Sequence, residues 1–298
     1  MTTTIPVVSV TPVMLSSPGR GTDLQVRVTA PAAGSDLPVL VFSHGYHQSS
    51  AGYDPLVDAW ASHFVVIQPT HLDSQTLDLP ADDTRTPDIW RIRREDLTHV
   101  LDQLEAAVGA VPGLAERVDL SRVALVGHSW GGQTVGMLLG AGVLGEDGTP
   151  GQSPADRRVS AGVLLTTPGT GDSLTPFAAE IFPFMRPAFA TLTTRTLVVA
   201  GDADQSFLSS RGPDWFTDPH VLSPGATDLL TVFGGELSLG GITGYGVTET
   251  TDENPERVAL VARLTTAWLR TALHGEDTWA TARADLGGLG RVDTKTAP

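Results

Sequence analysis

VALVGHSWGGQTVGMLLG, residues 123–140, changes character part-way along. Val123, Ala124, Leu125 and Val126 form a short continuous apolar run, the pattern of a strand buried on both faces of a parallel sheet. Gly127-His128-Ser129-Trp130-Gly131 breaks the run, and an apolar stretch of helical character follows. A G-x-S-x-G between a buried strand and a helix is the pattern of a nucleophile elbow. The glycines let backbones crowd together while the serine hydroxyl projects above the strand end, beside the helix N-terminus. A tight connection or a phosphate cradle can carry the same letters. The strand before and the helix after favour catalysis, and make Ser129 the candidate nucleophile.

Outward from the elbow, similar runs lie at residues 39–42, 64–67, 163–165, 197–200 and 229–233. Between them Leu97, Val100, Leu101, Leu104 and Val108 recur at helical spacing, as do Leu260, Val261, Leu264 and Trp268. The second of these helices has a clean start at Asn254-Pro255, a capping residue followed by a proline in the first turn. Alternating strands and helices predict a mostly parallel twisted α/β sheet with helices on both faces. Val7 to Met14 and Leu24 to Val28 read as an antiparallel hairpin on its edge. No repeat or linker divides the chain, so residues 1–286 are expected to form one domain, with residues 287–298 as a loose tail.

At 298 residues, 41% hydrophobic and 18% charged, the chain can bury a large core. Its net charge of −15 argues against nucleic acid or an anionic membrane surface as a partner, since both call for clustered cations. The absence of cysteine excludes disulfides and thiolate chemistry. Residues 123–145 carry no charge, but polar residues interrupt them, so they do not read as a membrane span. The N-terminus has neither a basic leader nor a continuous apolar stretch, which favours the cytoplasm.

A serine nucleophile needs donors for the oxyanion. Ser43-His44-Gly45-Tyr46 follows the run at 39–42, and the backbone amides of Tyr46 and Trp130 are placed to supply them. It also needs an acid after a later strand: Asp204 in Gly201-Asp202-Ala203-Asp204, with Asp202 as the rival. His44 and His47 lack a third metal ligand, and no dinucleotide fingerprint is present, so no metal or cofactor is implied.

From about residue 39 to residue 273 the chain resembles α/β-hydrolase-fold esterases of the bacterial chlorophyllase-like and dienelactone-hydrolase-like group, and more distantly cutinases and polyester hydrolases. Gly127 to Gly132, the His44-Gly45-Tyr46 loop and Gly201 to Asp204 carry the resemblance. It implies an α/β-hydrolase fold without a large cap domain, nucleophile Ser129, acid Asp204 and oxyanion donors Tyr46 and Trp130. His47, Phe177, Ile181, Phe182, Phe184 and Met185 are expected to line an apolar cleft for a small carbonyl or ester substrate.

The resemblance also implies a histidine where this chain has Leu237, within Gly234-Gly235-Glu236-Leu237-Ser238-Leu239-Gly240-Gly241-Ile242. The neighbouring match, including Thr248 to Glu253, argues against a shifted alignment. Without a base the serine is a poor nucleophile. His220 is the candidate substitute, while His274 ends a helix in a surface-like stretch and His128 packs beneath the elbow. Three readings follow: an ester hydrolase that is slow or uses an unexpected base; a non-hydrolytic cyclase, lyase or isomerase on the same fold; or a binding protein, including an engineered His→Leu variant.

Overall fold

The computed structural model describes residues 5–80, 82–145, 147–151, 155–244 and 251–295. Among these residues the strands are β1 (Val7–Leu15), β2 (Leu24–Pro31), β3 (Leu37–Ser43), β4 (Val65–Pro69), β5 (Val118–His128), β6 (Gly142–Val143), β7 (Val159–Leu165), β8 (Pro187–Ala188), β9 (Thr196–Gly201), β10 (Ala226–Val232) and β11 (Gly290–Thr294). β6 and β8 pair with each other, and the other nine form one sheet in the order β1-β2-β4-β3-β5-β7-β9-β10-β11. Every neighbouring pair from β4 to β10 is parallel. Antiparallel pairs lie only towards the two edges, and the β1–β2 hairpin is one of them, as expected.

The apolar runs are continuous because both faces of the sheet are covered. Val39 and Val41 of β3 pack on one side with Leu97, Val100 and Leu104, while Leu40 and Phe42 pack on the other with Leu56, Trp60 and Leu264. The first layer is built by α2 (Ile89–Asp102), α3 (Leu104–Gly109) and α4 (Trp130–Leu138), the second by α1 (Asp54–Trp60) and α7 (Pro255–His274). α7 starts where its cap predicts: the Asn254 side chain accepts from the amides of Glu256 and Arg257, with Pro255 in the first turn. The chain between β7 and β9 carries α5 (Pro176–Ile181), the short β8 and two single 3-10 turns, so no large cap covers the sheet. Among the described residues no helix is long and apolar enough to cross a membrane.

The tail departs from its expected looseness. Residues 290–294 form β11, antiparallel to β10 with Val292 opposite Leu230. Without it β10 would present an open row of backbone donors and acceptors, and the pairing satisfies them. Thr294 donates to Asp228 at 2.8 Å and Lys295 Nζ to the Ser223 carbonyl at 2.7 Å, fastening the strand at its far end.

Candidate active site

β5 ends at His128 and α4 begins at Trp130, so Ser129 makes the whole turn between them. Its φ of 52° and ψ of −120° lie where a side chain is strained, at a penalty of order 1–3 kcal/mol. The turn is closely packed: a Cβ on Gly127 would stand 2.3 Å from the Gly131 carbonyl oxygen, and one on Gly132 1.8 Å from the side-chain Oγ1 of Thr167. The Ser129 amide donates to the Leu165 carbonyl of β7 at 2.9 Å. Ser129 is only partly buried and lines the cavity above the strand ends. Among the described residues the amides of Tyr46 and Trp130 bond no acceptor.

The Ser43–His47 loop reaches the same cavity from β3. Tyr53 ties it to the elbow: the Gly45 amide donates to Tyr53 Oη at 3.0 Å, and that hydroxyl donates to His128 Nδ1 at 2.8 Å. His128 is buried and neutral, its pKa lowered by burial to about 4. It therefore carries its proton on Nε2 and donates it to the Leu237 carbonyl at 2.7 Å. Beneath the loop lies a row that sequence reasoning missed. Ser43 Oγ is 2.9 Å from His71 Nε2, and His71 Nδ1 is 2.9 Å from Asp96 Oδ2. This second Ser–His–Asp arrangement is fully buried and bonded to Arg20 at 2.7 Å, so it braces the loop rather than meeting substrate.

Leu237 lines the cavity with Ser129. Its carbonyl also accepts from Thr166 Oγ1 at 2.9 Å, so two donors set the position of its backbone. The turn holding Asp204 packs against the same loop, with the Ala203 amide donating to the Gly235 carbonyl at 3.0 Å. The two rival acids separate here. Asp202 is exposed and accepts from the Gly234 amide at 2.6 Å, whereas Asp204 is buried and its Oδ2 has no partner among the described residues. Burial, then the charges of Glu236 and Asp252, push the Asp204 carboxyl up to about 7. Thr248, Glu249 and Thr250 lie outside the described residues; Asp252 accepts from the amides of Glu236 and Gly240 and holds the Leu237 turn in shape.

An acid whose folded pKa lies above its ordinary value of about 4 is harder to ionise in the fold, so it lowers stability as the pH rises from about 4 to 7. Asp204→Asn is therefore expected to raise the melting temperature at about pH 8, with a gain that shrinks as the pH is lowered from 7 towards 4. Thermal denaturation of both proteins across that range checks it.

The cavity has a volume of about 420 Å³, within the usual range for small-molecule sites. Phe177, Ile181, Phe182 and Met185 are among its lining residues. Two others do not. His47 turns at a φ of 61° and stacks on the Tyr46 ring at 3.8 Å, so that Tyr46 and not His47 lies on the cavity wall. Phe184 packs between Trp90 and Trp130, with centroids 5.6 and 5.5 Å away, and lines a separate groove. Tyr53, Phe207, Leu208, Trp215 and Phe216 also line the wall, without any signal in their local sequence, because separate segments deliver them.

His220 is not placed to serve this cavity. It is buried against the Thr227 backbone and near Lys295, at the start of β10, whereas Ser129 stands at the opposite, C-terminal end of the strands. His274 lies at the end of α7, where its Nδ1 accepts from Arg122 at 3.0 Å. His44 is buried with both ring nitrogens engaged, one on the Gly45 carbonyl and one on the His71 amide.

Residues 6–142 match the protein family described as Chlorophyllase, a stretch that runs from the edge hairpin through the Tyr46 loop and the elbow. No curated protein matches the chain. The family suggests an esterase-like enzyme. Taken with the mostly parallel nine-stranded sheet, the match supports a chlorophyllase-like α/β-hydrolase group for this chain.

Proposed function

We propose that this protein is an esterase-like serine enzyme acting on a small, neutral, apolar ester, and that it lacks the base of its triad. The observation that carries the reading is the strained Ser129 turn, which opens on an apolar cavity beside two amides that bond no acceptor among the described residues. Ser129 Oγ attacks the carbonyl carbon, the amides of Tyr46 and Trp130 receive the oxyanion, and the alkoxide leaves. Asp204 is the acid and Leu237 stands where the base belongs. The unpaired Oδ2 of Asp204 supports this assignment, since a histidine ring at 237 is the donor it would otherwise meet.

With no imidazole to take the serine proton, water must take it, and acylation is confined to esters with good leaving groups. Deacylation needs an activated water and is slower still. A p-nitrophenyl ester is therefore expected to give a slow release approaching one equivalent of nitrophenol, followed by scarcely any turnover, and Ser129→Ala should abolish it. Stopped assays with active-site titration, and mass spectrometry of the acylated protein, check this.

A second reading rests on the apolar wall that Leu237 provides next to the free amides. On that reading the amides polarise the carbonyl of a hydrophobic metabolite for a cyclase, lyase or isomerase reaction, with no attack by serine. Conversion that survives Ser129→Ala would favour it.

A further inference from the structure

For the proposed chemistry the Tyr46 amide has to face the cavity, and the residues beneath the loop decide its direction. In a planar trans peptide the carbonyl and the following N–H point opposite ways. The Gly45 carbonyl accepts from three donors: His44 Nδ1 at 2.7 Å, Arg93 Nη2 at 3.2 Å and the Gln48 amide at 3.2 Å. His44 carries its proton on Nδ1 because its Nε2 accepts from the His71 amide at 3.0 Å. Burial, then the charge of Arg93, keep the ring neutral. The Tyr46 N–H, opposite that carbonyl in the same peptide, is turned away from Arg93. One peptide earlier Arg93 Nη2 also takes the His44 carbonyl at 2.9 Å, which directs the Gly45 N–H to Tyr53.

Arg93 is itself immobilised. Its Nε donates to Asp73 Oδ1 at 2.8 Å, and Asp73 Oδ2 accepts from the His47 amide at 3.2 Å, at the end of the same loop. Burial opposes the charge on Asp73, yet Arg93 beside it holds the carboxyl down at about 2. The guanidinium also lies over the Trp130 indole, 5.1 Å from the ring centroid. One buried cation thus bonds the carbonyl of the peptide that carries the Tyr46 amide and packs on the ring of Trp130. Such a pair contributes little net stability over an apolar replacement, so stability alone does not account for it.

We infer that Arg93, anchored by Asp73, is the positioning residue of the oxyanion donors: it orients the peptide that presents the Tyr46 amide and packs on Trp130. It meets no substrate atom. The inference rests on the esterase-like reading, and its test separates the two. Lysine keeps the cation but lacks the planar fork that holds a carboxylate and two carbonyls together.

The test compares two p-nitrophenyl esters of one acyl chain, one with C=O and one with C=S at the reacting carbon. Sulfur is larger and a weaker acceptor, so a hole shaped for oxygen discriminates against it. Acylation rates, KM and melting temperatures are measured for the unmodified protein, Arg93→Met, Arg93→Lys and Asp73→Asn. Arg93→Met is expected to acylate the oxo ester about 100-fold more slowly with KM nearly unchanged, and to lose roughly tenfold or more of the oxo-over-thiono preference. Arg93→Lys should fall between, and Asp73→Asn, which keeps its shape while freeing the guanidinium, should shift in the same direction. If Arg93→Met does not fold, the other two variants decide. An unchanged preference in every folded variant overturns the inference, whatever happens to rate, KM or melting temperature. If the unmodified protein shows no Ser129-dependent acylation with either ester, the esterase-like reading falls and this inference with it.

Discussion

Replacing Leu237 by histidine is expected to raise kcat/KM for an aryl ester by roughly 10²–10⁴-fold, the usual contribution of a positioned general base. The backbone at 237 is pinned by His128 Nε2 and Thr166 Oγ1, so a new side chain starts from a defined place on the cavity wall. Leu237 is partly exposed, which leaves room for a ring. An imidazole there would give the unpaired Asp204 Oδ2 a donor while its other nitrogen faces Ser129. Two further results should accompany the gain. The rate should rise with pH through an ionisation of about 6.5, that of the new imidazole. Asp204 should fall back from about 7 towards the ordinary carboxylate range, so the stabilisation by Asp204→Asn in the unmodified protein should disappear in the Leu237→His background. Steady-state kinetics over pH, with Ser129→Ala/Leu237→His as control, decides the matter. No gain in rate would mean that residue 237 does not reach the serine, and would favour the non-hydrolytic reading.

Gly131→Ala should remove most of the folded protein, with a loss of stability of roughly 3–5 kcal/mol. A Cβ at this position would stand 2.1 Å from the Ser43 carbonyl oxygen and 2.5 Å from that of His44. Both atoms belong to backbone, and the loop they lie in is fixed from below by Arg93 and His71, so neither can move aside cheaply. Where some protein does fold, the Tyr46 amide should be displaced and Ser129 acylation lost beyond the loss of stability. Gly109→Ala is the control: it ends α3, and its added Cβ meets nothing within 4 Å. Chemical denaturation of the two variants should show a large loss for the first and a neutral or slightly stabilising change for the second.

The parallel sheet was legible in the chain because strands buried on both faces cannot alternate, and six continuous apolar runs separated by helical periods admit few other arrangements. The elbow was legible because a strand, a small-residue turn and a helix are contiguous in sequence, and the capped start of α7 is likewise local. Tertiary structure decided whatever depends on residues far apart. β11 reads as a polar tail until the open edge of β10 gives it a partner. Asp202 and Asp204 look alike as letters, and only the fold exposes the first on the Gly234 amide while burying the second with an unpartnered oxygen. His220 could not be excluded before the sheet put it at the opposite end from Ser129. The Asp73–Arg93 pair carries no motif, because its role is to receive carbonyls from a loop about 50 residues away in the chain. Local propensity and apolar periodicity act over a few turns of chain and are written in the sequence, whereas burial, pairing and the direction of a peptide dipole arise only when distant segments close on one another.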